Sequence, residues 1–196
     1  MRKGEQSRAR MVAATAELLQ KQGYHATGLA EIVEKSAAPR GSLYFYFPGG
    51  KEELACEALR NAGTTWRQQL EAVINAAPDL PSSVMAACEA LAQWLEASNY
   101  ELGCPMATVA LEASTTSEAV HQVCAQHFAG WQELIAHKLV AAGAAPEVAQ
   151  EMALFSLSAT EGALLLSKVQ RSTQPLLTVG RTLAGLAAMT APPAQA

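Results

Sequence analysis

Apolar residues recur along this chain at the spacing of amphipathic helices. Between Glu5 and Gln22 one helix face is formed by positions i, i+4, i+7 and i+8, and Met11, Val12, Thr15, Leu18 and Leu19 lie on it. Similar runs follow toward the end of the chain, and Gly and Pro residues separate these runs rather than interrupt them. No run shows the strict alternation of a half-buried strand. The pattern therefore predicts an all-α protein of about nine helices.

Turn and cap residues set the predicted helix ends. The first helix should end at Gly23, and Thr27 is placed to cap the second helix with its hydroxyl. Pro39 should open the third helix, where its missing N–H costs nothing. The spacing of Thr115 and Glu118 matches a capping box and predicts another helix start. The later helices are expected over about 51–76, 82–98, 106–113, 118–140, 146–171 and from 175 onward.

The segment from residue 23 to residue 54 carries the strongest functional signal. A short helix predicted over residues 29–35 leads through Ser36-Ala37-Ala38 into a second short helix that begins at Pro39. The second helix carries one Arg, small residues and aromatic hydroxyls, and it ends against Pro48-Gly49-Gly50. Two short helices joined by a tight turn are the parts of a helix-turn-helix DNA reader.

The charge distribution agrees with a DNA-facing N-terminal part. Residues 1–47 contain seven Lys or Arg and four Asp or Glu, a net charge of +3. The remainder contains seven and fourteen, a net charge of −7, which gives −4 for the whole chain. Arg2, Lys3, Arg8 and Arg10 are expected to attract DNA non-specifically or to reach a minor groove, unless the last two are simply a solvated helix face.

Cysteine usage and hydropathy predict a cytoplasmic protein without a membrane segment. Cys56, Cys88, Cys104 and Cys124 lie far apart, which gives neither a disulfide framework nor a zinc finger. They are expected to be reduced and mostly buried. The longest apolar stretch, residues 152–169, is interrupted by several polar residues, so it predicts a buried or interfacial helix rather than a membrane span.

No motif in the sequence indicates catalysis, a cofactor or a metal. A phosphate-binding loop, G-x-S-x-G and H-E-x-x-H are all absent from the sequence. His121, Cys124 and His127 are spaced so that the two histidines would lie about 120° apart on a helix, too far around it for one ion. We therefore expect a non-enzyme without cofactor, and a small-molecule-processing enzyme is a remote alternative.

Residues 11–59 resemble the N-terminal domain of the TetR family of transcriptional repressors. The resemblance rests on Gly23-Tyr24, Thr27, Ser36-Ala37-Ala38, the aromatic run 43–47 and Lys51-Glu52-Glu53-Leu54. The segments 47–51, 103–106 and 161–166 also resemble the LmrA subgroup of that family. The chain departs from the family pattern at Ala26, at Ile32-Val33 and at Tyr46, and the last change leaves the base preference open.

The resemblance implies a domain plan and partners. Residues 1–50 would form the helix-turn-helix DNA-binding domain, residues 51–190 a helical ligand-binding and dimerisation domain, and residues 191–196 a disordered tail. The family is expected to form a homodimer by pairing the last two long helices, and to bind double-stranded operator DNA. A small-molecule effector that fills a pocket in the second domain would release the DNA.

The candidate DNA contacts lie between residues 27 and 51, in and beside the two short helices. Arg40 is expected to read a guanine, Gly41 to allow close approach, and Ser42 to bond a base edge or a phosphate. By resemblance, Thr27, Tyr44, Tyr46 and Lys51 are phosphate contacts and Phe45 is an apolar contact. Leu43 and Phe47, four residues apart, should point inward instead. The full predicted DNA-binding set is Thr27, Gly28, Arg40, Gly41, Ser42, Tyr44, Phe45, Tyr46 and Lys51.

The effector pocket is less constrained by the sequence. Large apolar residues and one acid on the later helices provide its predicted wall, namely Trp94, Met106, Val109, Glu112 and Trp131. Two alternatives use the same DNA reader: a redox sensor, for which Cys104 is the most plausible thiol, and a regulator that responds to no ligand. The sequence does not distinguish a repressor from an activator.

Overall fold

In a computed structural model of the protein, the described residues are 3–190, except for the side chains of Lys3, Arg40 and Thr190. Within this range the chain forms nine α-helices and one short 3-10 helix, without a strand, which confirms the all-α prediction. Residues 191–196, the predicted disordered tail, lie outside the described range. The α-helices are α1 Lys3–Ala26, α2 Leu29–Ser36, α3 Leu43–Tyr46, α4 Gly50–Ala76, α5 Leu80–Ala97, α6 Pro105–Ala113, α7 Glu118–Ala141, α8 Pro146–Gln170 and α9 Gln174–Thr190, and the 3-10 helix is Arg40–Ser42.

The chain divides into two compact units, each built from two separate stretches of sequence. The first unit contains Met1–Thr65 and Cys104–His127, and the second contains Trp66–Gly103 and Phe128–Ala196. Helices α4 and α7 therefore contribute residues to both units. The functional boundary predicted at residue 50 is a different kind of division, and it stays a prediction.

Helix α1 is central to the first unit, where it packs against α2 and α6. Apolar side chains from all its helices are fully buried, as periodic spacing requires of a helix face that turns away from water. The unit thereby holds the short helices α2 and α3, which are too short to be stable alone. Its largest fully buried side chains are Met11, Leu19, Ile32, Phe47, Leu54, Leu59, Met106, Val109, Val120 and Val123.

Three predicted helix ends differ from the observed ones. Gly23 does interrupt α1, with φ 80° and ψ −176°, but helical backbone continues to Ala26. The N-cap of α2 is Gly28 rather than Thr27, because the Thr27 hydroxyl turns inward and donates to the Gly23 carbonyl at 2.7 Å. The cap of α7 is formed by Ser117, whose Oγ accepts the Val120 N–H at 3.1 Å, and not by Thr115. Cap residues compete locally, and the sequence alone does not show which hydroxyl faces a free amide.

Helices α5, α8 and α9 provide most of the second unit, with the later parts of α4 and α7. Helices α5 and α9 approach closely at Gly180, where a Cβ would lie 2.8 Å from the Cβ of Cys88. A smaller apolar cluster joins α7 to α8 through Ala136, Leu139, Ala149 and Ala153. Small residues at these contacts let the helix backbones come near one another.

We expect Gly180→Ala to destabilise the protein. The added methyl would lie 2.8 Å from the Cys88 Cβ, an atom fixed to the α5 backbone, so α9 must shift outward. Overpacking of this kind typically costs about 1–3 kcal/mol. Urea unfolding followed by circular dichroism measures the change in the free energy of unfolding.

Gly130→Ala is the matched control for this substitution. Its new Cβ would meet only the flexible end of Arg67, Nη1 at 3.1 Å, and replacing Gly by Ala inside a helix favours folding by about 0.5–1 kcal/mol. A Gly180→Ala protein as stable as the Gly130→Ala protein would show that α5 and α9 do not meet as described.

Candidate DNA-reading segment and ligand cavity

The reading segment, residues 27–51, begins with an amphipathic helix and a tight turn. Ile32 is fully buried on α2, and the helix ends at Ala37, which has the left-handed backbone φ 49° and ψ 35°. Backbone bonds close the turn, from the Ala37 N–H to the Glu34 carbonyl at 3.1 Å and from the Ala38 N–H to the Val33 carbonyl at 3.3 Å. The turn leads into the short elements 40–42 and α3, and α3 packs on α1, so two short helices follow one another across a tight turn as in a helix-turn-helix.

Helix α3 separates its inner and outer side chains sharply. Leu43 and Phe47 are buried, at 2% and 0% exposure, and they anchor the helix in the first unit. Tyr44 is 64% exposed and Phe45 is 79% exposed, while Tyr46 is half-buried with its ring edge-on to Phe45 at 5.1 Å. The inward and outward positions agree with the sequence prediction. Two adjacent aromatic rings on the surface have a cost in water that a bound partner can remove.

The predicted single helix from Pro39 is in fact two short elements. Arg40–Ser42 form a 3-10 turn, and the Ser42 hydroxyl donates to the Pro39 carbonyl at 2.6 Å. Gly41 and Gly28 are both exposed, and no atom lies within 4 Å of a Cβ built at either position. The backbone is therefore open to a large partner at both glycines. The Arg40 side chain lies outside the described residues, so its base-reading role stays a prediction.

Thr27 and Lys51 face the interior more than their predicted roles require. Thr27 is fully buried and its hydroxyl is already bonded to the Gly23 carbonyl, so the predicted phosphate contact through this side chain is not supported. The Lys51 ammonium lies 4.5 Å from the centre of the Tyr24 ring, a cation–π contact. Partial burial lowers the pKa of Lys51, and the negative charge of Glu112 opposes that shift.

Two of the N-terminal arginines, Arg8 and Arg10, have partners within the fold. Arg8 is paired with Glu57 and lies over the Phe47 ring, 4.9 Å from its centre. Arg10 donates from Nε to the Ser36 carbonyl at 3.0 Å. Both side chains therefore have partners within the fold, and the DNA roles predicted for Arg8 and Arg10 stay predictions. Arg2 and the side chain of Lys3 lie outside the described residues.

The second unit contains a cavity of about 150 Å³. Its wall is mainly apolar, and the charged side chains Arg67, Lys138 and Glu161 also line it. Arg67 donates to Glu71 at 2.9 Å, and Lys138 donates to Asn75 at 2.6 Å. An apolar cavity with a few polar groups is the usual form of a small-molecule site. Its larger apolar wall residues include Trp66, Leu91, Trp131, Ile135, Leu164 and Leu183.

One of the five predicted pocket residues, Trp131, lines this cavity. Trp94 instead packs edge-on against Trp66, with ring centres 5.6 Å apart. Met106, Val109 and Glu112 belong to α6 in the first unit, where the first two are fully buried. These four residues do not line this cavity, and their part in effector binding stays a prediction. Helical spacing marks buried faces but does not tell which helices they pack against, which is also why Arg67 and Lys138 were missed.

Every cysteine is buried, which argues against a thiol sensor. Cys104 Sγ accepts the Ala107 N–H at 3.4 Å and so caps α6. Burial raises the pKa of Cys88 and of Cys124 to about 11, which keeps both thiols protonated at neutral pH. A protonated, buried thiol reacts slowly with oxidants.

The His121, Cys124 and His127 side chains do not converge. His121 is exposed, Cys124 is buried with its Sγ 3.9 Å from the Met106 carbonyl, and the His127 ring packs where a Cβ on Gly63 would lie. Across the described residues, no group of three or more His, Cys, Asp or Glu is arranged to hold a metal ion.

One unit contains a helix-turn-helix with an exposed aromatic pair, and the other contains an apolar cavity. Both features are typical of helix-turn-helix transcriptional regulators. Comparisons with known proteins identify the family. Residues 11–58 match the model for bacterial regulatory proteins of the tetR family, and residues 82–182 match the LmrA/YxaF-like transcriptional regulator C-terminal domain. The chain belongs to the TetR family, and its second half is of the LmrA/YxaF type, which confirms both resemblances.

Individual relatives agree over nearly the full length. The HTH-type transcriptional regulator Rv0196 of Mycobacterium tuberculosis is 36% identical, over 91% of this chain and 93% of that protein. The HTH-type transcriptional regulator LmrA of Bacillus subtilis is 32% identical, over 92% and 96%. The crystal structure of a TetR transcriptional regulator from Chloroflexus aurantiacus superposes with a TM-score of 0.81 at 28% identity, over 96% and 97%. These relatives are named as transcriptional regulators, and the protein is a DNA-binding regulator of transcription.

Proposed function

We propose that the protein is a dimeric, cytoplasmic repressor that leaves its operator when a small molecule fills the cavity of the second unit. The observation that carries the proposal is the exposure of Tyr44 and Phe45 on a helix held by Leu43 and Phe47. Rigid support beneath exposed aromatic and polar groups is what a recognition helix needs to enter a major groove.

The proposed DNA contacts differ from the sequence prediction at one residue. Arg40 reads a guanine edge, Gly41 admits the duplex, and Phe45 contacts a thymine methyl. Thr27 is left out, because its side chain is buried. The proposed set of DNA contacts is Gly28, Arg40, Gly41, Ser42, Tyr44, Phe45, Tyr46 and Lys51.

The cavity and the reading segment are linked by one continuous helix. Helix α4 begins at the end of the reading segment, and its later residues Trp66, Leu70 and Ile74 line the cavity. A ligand that binds more tightly to a shifted α4 would favour a form of the dimer in which the two reading segments no longer match the operator spacing. No flexible linker is needed for this coupling.

The dimer proposal rests on an exposed apolar face of α8. Six large apolar residues on this helix are exposed, and at helical geometry they fall within an arc of about 120°. By length and composition α8 could also cross a membrane, and no other helix among the described residues meets that test. A second copy of the chain covers such a face in water, and the family supports this choice. The six residues are Val148, Leu154, Phe155, Leu165, Leu166 and Val169.

The first prediction from the proposed function concerns DNA reading. The wild-type protein should bind the duplex upstream of its own gene far more tightly than a scrambled duplex, and affinity should fall as salt rises. Arg40→Ala should weaken binding to the upstream duplex by about 10- to 100-fold, because a bidentate contact to guanine is lost. Fluorescence anisotropy at several salt concentrations measures both affinities.

Phe45→Ala and Leu43→Ala form a matched pair for the same titration. Phe45→Ala should weaken DNA binding and leave the melting temperature nearly unchanged, since the ring is 79% exposed. Leu43→Ala should lower the melting temperature, because it removes a buried anchor at a cost of about 2–5 kcal/mol. Equal binding of both duplexes by the wild-type protein would rule against a specific reader of this DNA.

The second prediction concerns the cavity. An engineered cavity of about the same volume in another protein binds benzene, so benzene is a suitable probe. It should raise the melting temperature of the wild-type protein, because a ligand that binds the folded state stabilises it. Ala87→Leu, which fills part of the cavity, should abolish the shift, while Ala129→Leu on the exposed face of α7 should keep it.

The same melting-temperature assay can screen for an effector. The effector should be among the compounds that stabilise the wild-type protein but not the Ala87→Leu variant. At least one of them should lower affinity for the upstream duplex. A compound that saturates the cavity and leaves DNA affinity unchanged would count against coupling, although the DNA reader itself could still be correct.

The third prediction concerns assembly. Phe155→Asp should convert the protein to a monomer, because it places a carboxylate in the centre of the apolar α8 face. Sedimentation velocity measures the oligomeric state, and the same variant should bind the upstream duplex more weakly. Gln69→Glu, an added charge on an exposed position of α4, is the control and should remain a dimer. A wild-type protein that sediments as a monomer at a concentration on the order of tens of micromolar would refute the dimer.

A further inference from the structure

Glu112, on α6, bonds to the last turn of α1 within the first unit. Its Oε2 accepts the His25 backbone N–H at 2.8 Å. The carbonyl oxygen of the same residue lies 3.2 Å from His25 Nε2, so side chain and backbone both meet this histidine. A hydrogen bond that ends on a carboxylate is stronger than one between neutral groups.

Gly23 makes room for the Glu112 carboxylate. A Cβ built on Gly23 would lie 2.1 Å from Oε1 and 2.8 Å from Oε2 of Glu112, so any other residue would displace the carboxylate. Gly23 also has φ +80°, a conformation that other residues rarely adopt. The break in α1 and the position of Glu112 are therefore two parts of one arrangement.

The turn held by Glu112 leads directly into the reading segment. The Thr27 hydroxyl donates to the Gly23 carbonyl at 2.7 Å, and the Thr27 N–H donates to the Tyr24 carbonyl at 3.3 Å. Gly28, the next residue, is the N-cap of α2. The Tyr24 ring on the same turn carries the Lys51 ammonium. The turn thus connects the Glu112 carboxylate to the start of α2 and to Lys51. The negative charge of Glu112 also acts directly on Lys51, since burial lowers the pKa of that ammonium and Glu112 raises it.

We propose that Glu112 is a positioning residue for DNA recognition, because its carboxylate fixes the Gly23–Thr27 turn and thereby the direction of α2 and the place of Lys51. The inference rests on the proposed DNA-reading function and adds a residue to it that touches no DNA.

The test compares Glu112→Ala with Glu112→Gln on the upstream duplex and on a scrambled duplex. Without this bond, DNA binding must itself order the turn, and the cost is at most that of one bond to a charged acceptor. For Glu112→Ala we therefore expect a loss of up to about 10-fold on the upstream duplex and a smaller loss on the scrambled duplex. Glu112→Gln keeps an oxygen that can accept the His25 N–H, so it should bind within about threefold of the wild-type protein. Glu118→Ala, an exposed acid on α7 of the same unit, is the control and should match the wild-type protein.

Hydrogen exchange supplies a readout that needs no DNA. Amide exchange over residues 23–36 should accelerate in Glu112→Ala and return to the wild-type rate in Glu112→Gln, while exchange in α7 stays unchanged. Wild-type exchange in this turn for Glu112→Ala would overturn the proposal, as would equal losses of upstream affinity in the Ala and Gln variants. An equal loss on both duplexes together with a lower melting temperature would also overturn it, because the role would then be purely structural.

The two proposals fail in different ways. If the wild-type protein does not distinguish the upstream duplex from the scrambled one, the proposed function fails for that DNA. Hydrogen exchange then decides whether Glu112 fixes the turn. Exchange at the wild-type rate in Glu112→Ala refutes the positioning role, whatever the DNA measurements show.

Discussion

The burial of Leu43 and Phe47 is the interaction on which the DNA-reading surface depends. Helix α3 has one turn, far less than a helix needs for stability in water, so its geometry comes from packing and not from its own hydrogen bonds. With both anchors buried, Tyr44 and Phe45 between them face outward, and Tyr46 is half-buried. The exposed aromatic pair is thus a consequence of the core beneath it.

The same dependence on neighbours explains why the first unit is discontinuous in sequence. Helices α2 and α3 alone offer too little apolar area to form a core, and α6 with the start of α7 completes it from a distant part of the chain. A reading unit built this way cannot be cut at residue 50 without exposing Met106 and Val109 and the side chains they cover. The DNA-reading function and the later helices are therefore joined by packing as well as by α4.

The sequence predicted what depends on local pattern and missed what depends on tertiary partners. The helices, the turn at Ser36-Ala37-Ala38 and the inward face of α3 all follow from spacing within a few residues. The position of α6 does not, since Met106 and Val109 have the same helical spacing whether they line a cavity or a core. Cap choice failed for a related reason, because Thr27 found a carbonyl four residues earlier and left the cap to Gly28.

The basic charge of the N-terminal residues is balanced by acidic residues elsewhere in the first unit. Residues 1–47 have a net charge of +3, but the whole first unit contains nine Lys or Arg and nine Asp or Glu and is neutral. Arg8 and Lys35 are already paired, with Glu57 and Glu17. The net charge of the unit therefore supplies no long-range attraction to DNA, and the salt dependence of binding should reflect the cations that lie at the duplex. The affinity of such a protein for DNA depends on direct contacts and on complementary shape. It therefore depends on the direction of the short helices α2 and α3 and on the residues that fix that direction.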